Sequence, residues 1–222
     1  SVLLFSQTST KHGELTYKDF KTPKFCGAAC HSDFYQQWKQ AMMSQSYTHH
    51  WDEIEYFELA IPHAEKDSKV GEVKDGCNGC HAPISYVAGD TPPPRPEMNS
   101  RANEGVSCEV CHSITGFEGD IPYNFNYIMK PGKTKYSGRD GSVSSPAHEI
   151  VVSDLHRSGD FCGICHNEKS PYDMWVKSTH LEWKEGPYSK EGVQCQDCHM
   201  PKAESIFASL SRPYPDARQH LF

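Results

Sequence analysis

Apolar positions are sparse along this chain and periodic in only a few stretches. Phe34, Trp38, Ala41 and Met42 recur at i, i+4, i+7 and i+8, which predicts a helix over 33–60 that Pro62 ends. The charged, Gly-containing stretch 64–76 reads as loop, and Thr91-Pro92-Pro93-Pro94-Arg95-Pro96 as an extended spacer. Tyr123, Phe125 and Tyr127 alternate with Asn124 and Asn126, a short strand signal. It lies within a Gly- and Ser-rich loop, 113–147, where Asp140-Gly141 marks a turn. A second helix is predicted over 171–185, with Ser170 as N-cap, Pro171 in its first turn and Gly186-Pro187 as its stop. Residues 1–25 are polar without a period and read as an N-terminal arm. The chain after Cys198 reads as irregular, with Pro213 and Pro215. The fold class expected is mainly α, with extensive irregular loops and minimal β.

Composition shows what such a chain lacks. Hydrophobic residues are 36% of 222; counted with Gly and without Tyr they are about 38%, under the roughly 45–50% apolar content of globular domains. The core must come from something other than side chains alone. The net charge is −7, and no Lys/Arg cluster tracks phosphate, so nucleic acid is not an expected partner. No run of 18 apolar residues exists to span a membrane. Val2-Leu3-Leu4-Phe5 is too short for a signal peptide, so a mature N-terminus is expected.

All ten cysteines fall in five units, and a histidine follows the second cysteine each time. Four are Cys77-Asn78-Gly79-Cys80-His81, Cys108-Glu109-Val110-Cys111-His112, Cys162-Gly163-Ile164-Cys165-His166 and Cys195-Gln196-Asp197-Cys198-His199. The first in the chain, Cys26-Gly27-Ala28-Ala29-Cys30-His31, has one residue more between its cysteines. This is the attachment signal for c-type haem: two thiols add to the vinyl groups and the histidine ligates the iron. Disulfides would not explain the repeated histidine, and structural zinc wants Cys pairs converging on four ligands, which five units cannot supply evenly. Five covalent haem c groups are expected, with His31, His81, His112, His166 and His199 as proximal ligands. The macrocycles would then be the missing core. Thioether attachment happens outside the cytoplasm, so the protein is expected to be exported, to the periplasm or the cell exterior.

Eight further histidines remain: His12, His49, His50, His63, His148, His156, His180 and His220. Five irons need at most five of them, which argues for bis-histidine, low-spin iron suited to electron transfer. Met42 and Met43 are weaker candidates, since methionine more often fills a core. The first cysteines fall at 26, 77, 108, 162 and 195, at alternately long and short intervals. Gly105-Val106-Ser107-Cys108 reads against Gly192-Val193-Gln194-Cys195, and His63 precedes Cys77 as His148 precedes Cys162. The reading is a single haem domain over 26–222 with an internal duplication, one haem pair at 77–112 and its repeat at 162–199.

Several stretches together resemble the cytochrome c-554 type of multihaem cytochromes, across most of residues 24–222. They are Cys30-His31 with Tyr35-x-x-Trp38, Cys80-His81-Ala82-Pro83, Gly105-Val106-Ser107-Cys108-Glu109 and Ser145-Pro146-x-His148. Further on come Asp154-Leu155-His156 before Phe161-Cys162, Glu182-Trp183, Cys198-His199-Met200-Pro201 and His220-x-Phe222. The resemblance implies a stacked haem chain in a helical, loop-rich shell, with His148, His156 and His220 as distal ligands. Met43 stands where several relatives have a histidine, so His49 or His50 is the alternative at the first haem. The family implies an electron carrier working with other redox proteins, either a periplasmic shuttle or an extracellular filament. A filament would be built by head-to-tail self-association, for which His12 on its arm offers a shared ligand. The alternative function is reduction of a nitrogen or sulfur oxyanion at an open iron.

Overall fold

The attachment motifs sit on short helices, and the chain between them is mostly turns. The computed structural model describes residues 8–139, 145–209 and 211–222; the Val2–Phe5 stretch and the Asp140-Gly141 turn lie outside them. In chain order come α1 (Pro23–Ala29), α2 (Ser32–Gln40), α3 (His50–Ile54), α4 (Ile61–Lys66), α5 (Val73–His81), α6 (Pro83–Val87) and α7 (Cys108–Ser113). Then follow β1 (Ile114–Phe117), β2 (Tyr127–Met129), β3 (Thr134–Ser137), β4 (Glu149–Val152), α8 (Asp160–His166), β5 (Asn167–Lys169) and β6 (Trp175–Ser178). The chain closes with α9 (Thr179–Glu185), α10 (Pro187–Lys190), α11 (Cys195–His199), β7 (Lys202–Ile206) and β8 (Pro213–Arg218). The strands form four two-stranded sheets, and the architecture is mainly helical, as expected.

The chain divides into two units, one holding His112–Gln194 with the segment up to Lys11, the other His12–Cys111 with Cys195–Phe222. In the first, β1 and β2 pair antiparallel, Phe117 opposite Tyr127, and Tyr127 is fully buried. The incoming segment joins this hairpin. Thr10 N–H donates to Tyr127 O at 2.9 Å, and Met129 N–H donates to Thr10 Oγ1 at 2.8 Å. β3 and β4 pair in parallel, and β5 and β6 antiparallel.

The second unit buries Tyr47, Tyr56, Ala82 and Ala102, with Phe57, Ala60, Ile61 and Cys77 packed against them. Its N-terminal stretch is also tied down, through Leu15 N–H to Val87 O at 2.9 Å and Tyr17 Oη to Asp90 Oδ2 at 2.6 Å. The arm expected over 1–25 is therefore, from residue 8 on, built into the fold.

Other expectations change for identifiable reasons. The helix predicted over 33–60 breaks at Ala41, whose backbone is extended. Ser44 Oγ takes the carbonyl of Ala41 at 2.8 Å, and Met43 O accepts from Val106 N at 2.9 Å. Local hydroxyls and distant donors thus compete for carbonyls a helix would use. Pro62 does not end the later segment. A π-turn over Glu55–Ala60 leads into α4, and Ile61 N–H reaches back to Tyr56 O. The change of hydrogen-bond register falls beside Pro62, where a missing N–H costs least. The loop expected over 64–76 is partly helical, since α5 begins at Val73. Thr91–Pro96 is no spacer: Pro93 is buried, and Tyr47 Oη donates to Pro93 O at 3.1 Å and Pro94 O at 3.0 Å.

The alternation around Tyr127 does mark a hairpin, but Asn124 and Phe125 have φ of 45° and 49° and make its turn. The helix predicted from 171 starts only at Thr179. Trp175 and Val176, both strong strand formers, pair with β5 across a turn containing Asp173 at φ 62°. The C-terminal region is a β7–β8 hairpin rather than irregular. Its prolines sit in a two-stranded sheet, where every strand has an open edge and a lost donor is tolerated.

Candidate haem centres

Thiols three or four residues apart lie on one face of a helix. That holds for Cys77/Cys80 on α5, Cys108/Cys111 on α7, Cys162/Cys165 on α8 and Cys195/Cys198 on α11. In the first motif Cys26 lies in α1, and the helix unwinds as Cys30 (φ −122°, ψ −51°) and His31 (φ −104°, ψ 48°) leave it. The extra residue is absorbed there, and His31 still follows its thiol off the helix end. None of the ten cysteines is in a disulfide, and no three Cys, His or acidic side chains among the described residues converge as a bare ion would need. Burial pushes the Cys111 thiol up to about 12. Contact with Cys26, then burial, raises Cys108 further. Charged thiolates would be costly at these sulfurs, and thioether sulfurs carry no charge.

Three of the five motif histidines share one hydrogen-bond arrangement. His31 Nδ1–H donates to Phe207 O, His81 Nδ1–H to Ser46 O at 2.7 Å and His112 Nδ1–H to Tyr136 O at 2.7 Å. A carbonyl only accepts, so the proton is on Nδ1 and the Nε2 lone pair is left for a metal. His166 and His199 end α8 and α11 and are exposed.

The same test sorts the other histidines. His148 donates Nδ1–H to Glu149 O at 3.1 Å and His220 to Arg218 O at 3.0 Å, so both present Nε2. Burial pushes His220 down to about 4, and His31 nearby adds to the shift. It is the neutral imidazole that an iron takes. His156 stands opposite His112, ring centres 6.3 Å apart and planes within 18°. Two imidazoles sharing one metal at about 2 Å through a ring nitrogen have centres roughly 6 Å apart. A 3-10 turn, Leu155–Arg157, places His156, and Arg157 Nε donates to Gly138 O at 2.6 Å.

His180 is different. It is 1% exposed, with Nδ1 3.1 Å from Asn167 Nδ2 and Nε2 donating to Asp160 Oδ1 at 2.8 Å. Both nitrogens are used, and the side chain fastens α9 to the start of α8. His12 is turned onto its own chain, Nε2 2.6 Å from Thr91 Oγ1. Thr91 gives its own proton to Asp75 at 2.8 Å, so His12 is the donor. That bond occupies the nitrogen a head-to-tail link would use most readily. His50 and His63 are exposed on α3 and α4, and His49 Nδ1 lies 3.6 Å from Asp52 Oδ2.

Two motif glycines leave no room for a side chain. A Cβ on Gly27 would meet Tyr35 Cγ at 2.2 Å, and one on Gly163 would meet His180 Cγ at 2.7 Å and Pro122 Cγ at 2.8 Å. Gly163→Ala is expected to destabilise the holoprotein by about 1–3 kcal/mol, the usual cost of overpacking. Denaturant unfolding followed at the Soret band checks it, and an unchanged midpoint would refute the packing argument.

Cys26 lies within hydrogen-bonding reach of Cys108, so the first and third motifs adjoin. Trp38 Nε1–H donates to Val106 O at 2.9 Å, and Trp183 Nε1–H donates to Val193 O at 2.9 Å. Both valines follow a positive-φ glycine, Gly105 or Gly192, and precede a motif by one residue. The matching environment is thus a helix after one motif bonded to the turn before another.

Residues 26–113 match the family model for cytochrome c554 and c-prime, and residues 147–215 match the N-terminal region of the NapC/NirT cytochrome c family. The fold is similar to that of a penta-haem cytochrome c552 from Thermochromatium tepidum, with a TM-score of 0.56 and 21% identity over 86% of this chain. The chain is a multihaem c-type cytochrome. It spans 56% of the Thermochromatium protein. No curated protein matches its sequence. Among the described residues of this cytochrome, no helix is long and apolar enough to cross a membrane. No pattern in the sequence pointed to Asp160 and Asn167, which bond His180, or to Asp52, which lies beside His81.

Proposed function

We propose that the cytochrome attaches five haem c groups at its five cysteine pairs and passes electrons along them as an exported carrier for other redox proteins. The observation that carries this reading is the common tautomer. His31, His81 and His112, and with them His148 and His220, each donate Nδ1–H to a backbone carbonyl, the tautomer whose Nε2 can ligate a metal. Iron cycling between Fe(III) and Fe(II) is the chemistry the haems supply; the protein's part is to fix ligands and exclude water. In this reading His156 is the second ligand to the His112 iron. His220, half-buried and neutral beside His31, serves the first haem, and His148 serves a third. His12, His49, His50 and His63 are the imidazoles left for the remaining irons, His12 only after releasing Thr91. A filament joined through His12 would need that same release.

The match to the NapC/NirT family favours a second reading, reduction of a nitrogen or sulfur oxyanion at an open iron. One experiment separates the two. Denatured mass is expected to exceed the polypeptide by five haems, with Cys26 and Cys30 not alkylatable. Spectra of the reduced protein are expected to be low-spin and unmoved by carbon monoxide. A four-haem mass would remove the first site, and stoichiometric carbon monoxide binding would move the protein to the reductase reading.

A further inference from the structure

The second motif carries a feature that the attachment chemistry does not require. Its proximal histidine is tied twice to one residue, His81 Nδ1–H to Ser46 O at 2.7 Å and Ser46 Oγ–H back to His81 O at 2.8 Å. A carboxylate stands beside the same ring nitrogen: Asp52 Oδ1 is 3.6 Å from His81 Nδ1. Its other oxygen, Oδ2, is 3.6 Å from His49 Nδ1, so Asp52 lies between two imidazoles. At His31 and His112, as at His81, the bond from Nδ1 goes to a backbone carbonyl, so the carboxylate at His81 is additional to that bond.

We propose that Asp52 is a positioning residue for the haem held by Cys77, Cys80 and His81, and that its carboxylate lowers the reduction potential of that haem. The inference rests on the reading of His81 as an iron ligand. Two effects act in one direction. A carboxylate close to the N–H of a ligating imidazole polarises that bond by its charge and makes the ring a stronger donor to the metal, even where the hydrogen bond itself goes to Ser46 O. A fixed negative charge a few ångströms from the ligand also favours Fe(III) over Fe(II), because reduction removes one positive charge that the carboxylate stabilises. The Asp52 side chain is only 30% exposed, so solvent screens the effect in part. Its place is set by α3, whose first turn carries it, and by the break before α3 that brings Ser46 to the same ring.

The test is spectroelectrochemical titration of the purified holoprotein and of Asp52→Asn and Asp52→Glu variants, with haem counted by denatured mass. Asp52→Asn keeps the shape and removes the charge. It is expected to shift one transition to higher potential and leave the others in place, while Asp52→Glu stays near wild type. A titration of Asp52→Asn that superposes on wild type, with every haem bound, would overturn the proposal and leave the haem assignment standing. Loss of the Cys77/Cys80 haem from Asp52→Asn would also overturn it, by making Asp52 a requirement for attachment instead. A wild-type peptide spanning Cys77–His81 without haem would overturn the ligand reading itself.

Discussion

Produced without its haems, the chain is expected to show no cooperative unfolding transition. The helices carrying the motifs are five to nine residues long, and isolated helices shorter than about 12–15 residues are marginal in water. Tertiary burial must hold them, and the side chains offer little. The buried cluster of the unit holding the second motif is Tyr47, Tyr56, Ala82 and Ala102, with Cys77 itself packed on it. Large apolar groups stay exposed on the polypeptide, among them Phe25 at 65%, Leu59 at 63% and Trp51 at 77%. A folded chain of this length should absorb on the order of 150 kcal/mol at its midpoint. The prediction is that calorimetry of a variant with all ten cysteines replaced by serine shows almost none of it, and that near-UV circular dichroism is lost. A sharp transition in the haem-free chain would mean that the side chains suffice as a core.

Replacing His156 with Ala is expected to convert one haem from low-spin to high-spin and to let it bind one equivalent of carbon monoxide. The ring of His156 lies 6.3 Å from that of His112 and within 18° of parallel. It is held by a short turn anchored through Arg157 to Gly138. Alanine leaves that backbone in place and removes only the imidazole, so an iron bound to His112 loses its sixth ligand. Electron paramagnetic resonance and the carbon monoxide difference spectrum read the change. His180→Ala is the control. That side chain spends both nitrogens on Asn167 and Asp160, so its removal should cost about 2–4 kcal/mol, from a cavity and two lost hydrogen bonds, without altering any spin state. If His180→Ala changed the spin state and His156→Ala did not, the two roles would have to be exchanged.

The attachment chemistry was legible in the sequence because it is local. A cysteine pair and its histidine lie within six residues, and their spacing alone sets thiols on one helix face and a ligand beyond them. The family resemblance, the mainly helical class and the thin core followed from the same residues. Ligand choice was not local. Eight spare histidines look alike as letters, and only packing shows that His180 has both nitrogens bonded, that His12 donates to Thr91, and that His148 and His220 donate Nδ1–H to backbone carbonyls. Element boundaries failed where distant groups claimed backbone carbonyls. Val106 N takes Met43 O and His81 takes Ser46 O, which breaks a helix whose periodicity is sound. Strand pairing likewise drew Trp175 and Val176 away from the helix that Ser170 and Pro171 advertised. The cysteine spacing by itself marks the candidate attachment sites. The tertiary structure decided how each imidazole is held, because hydrogen bonds formed across the fold set the tautomer and direction of the rings.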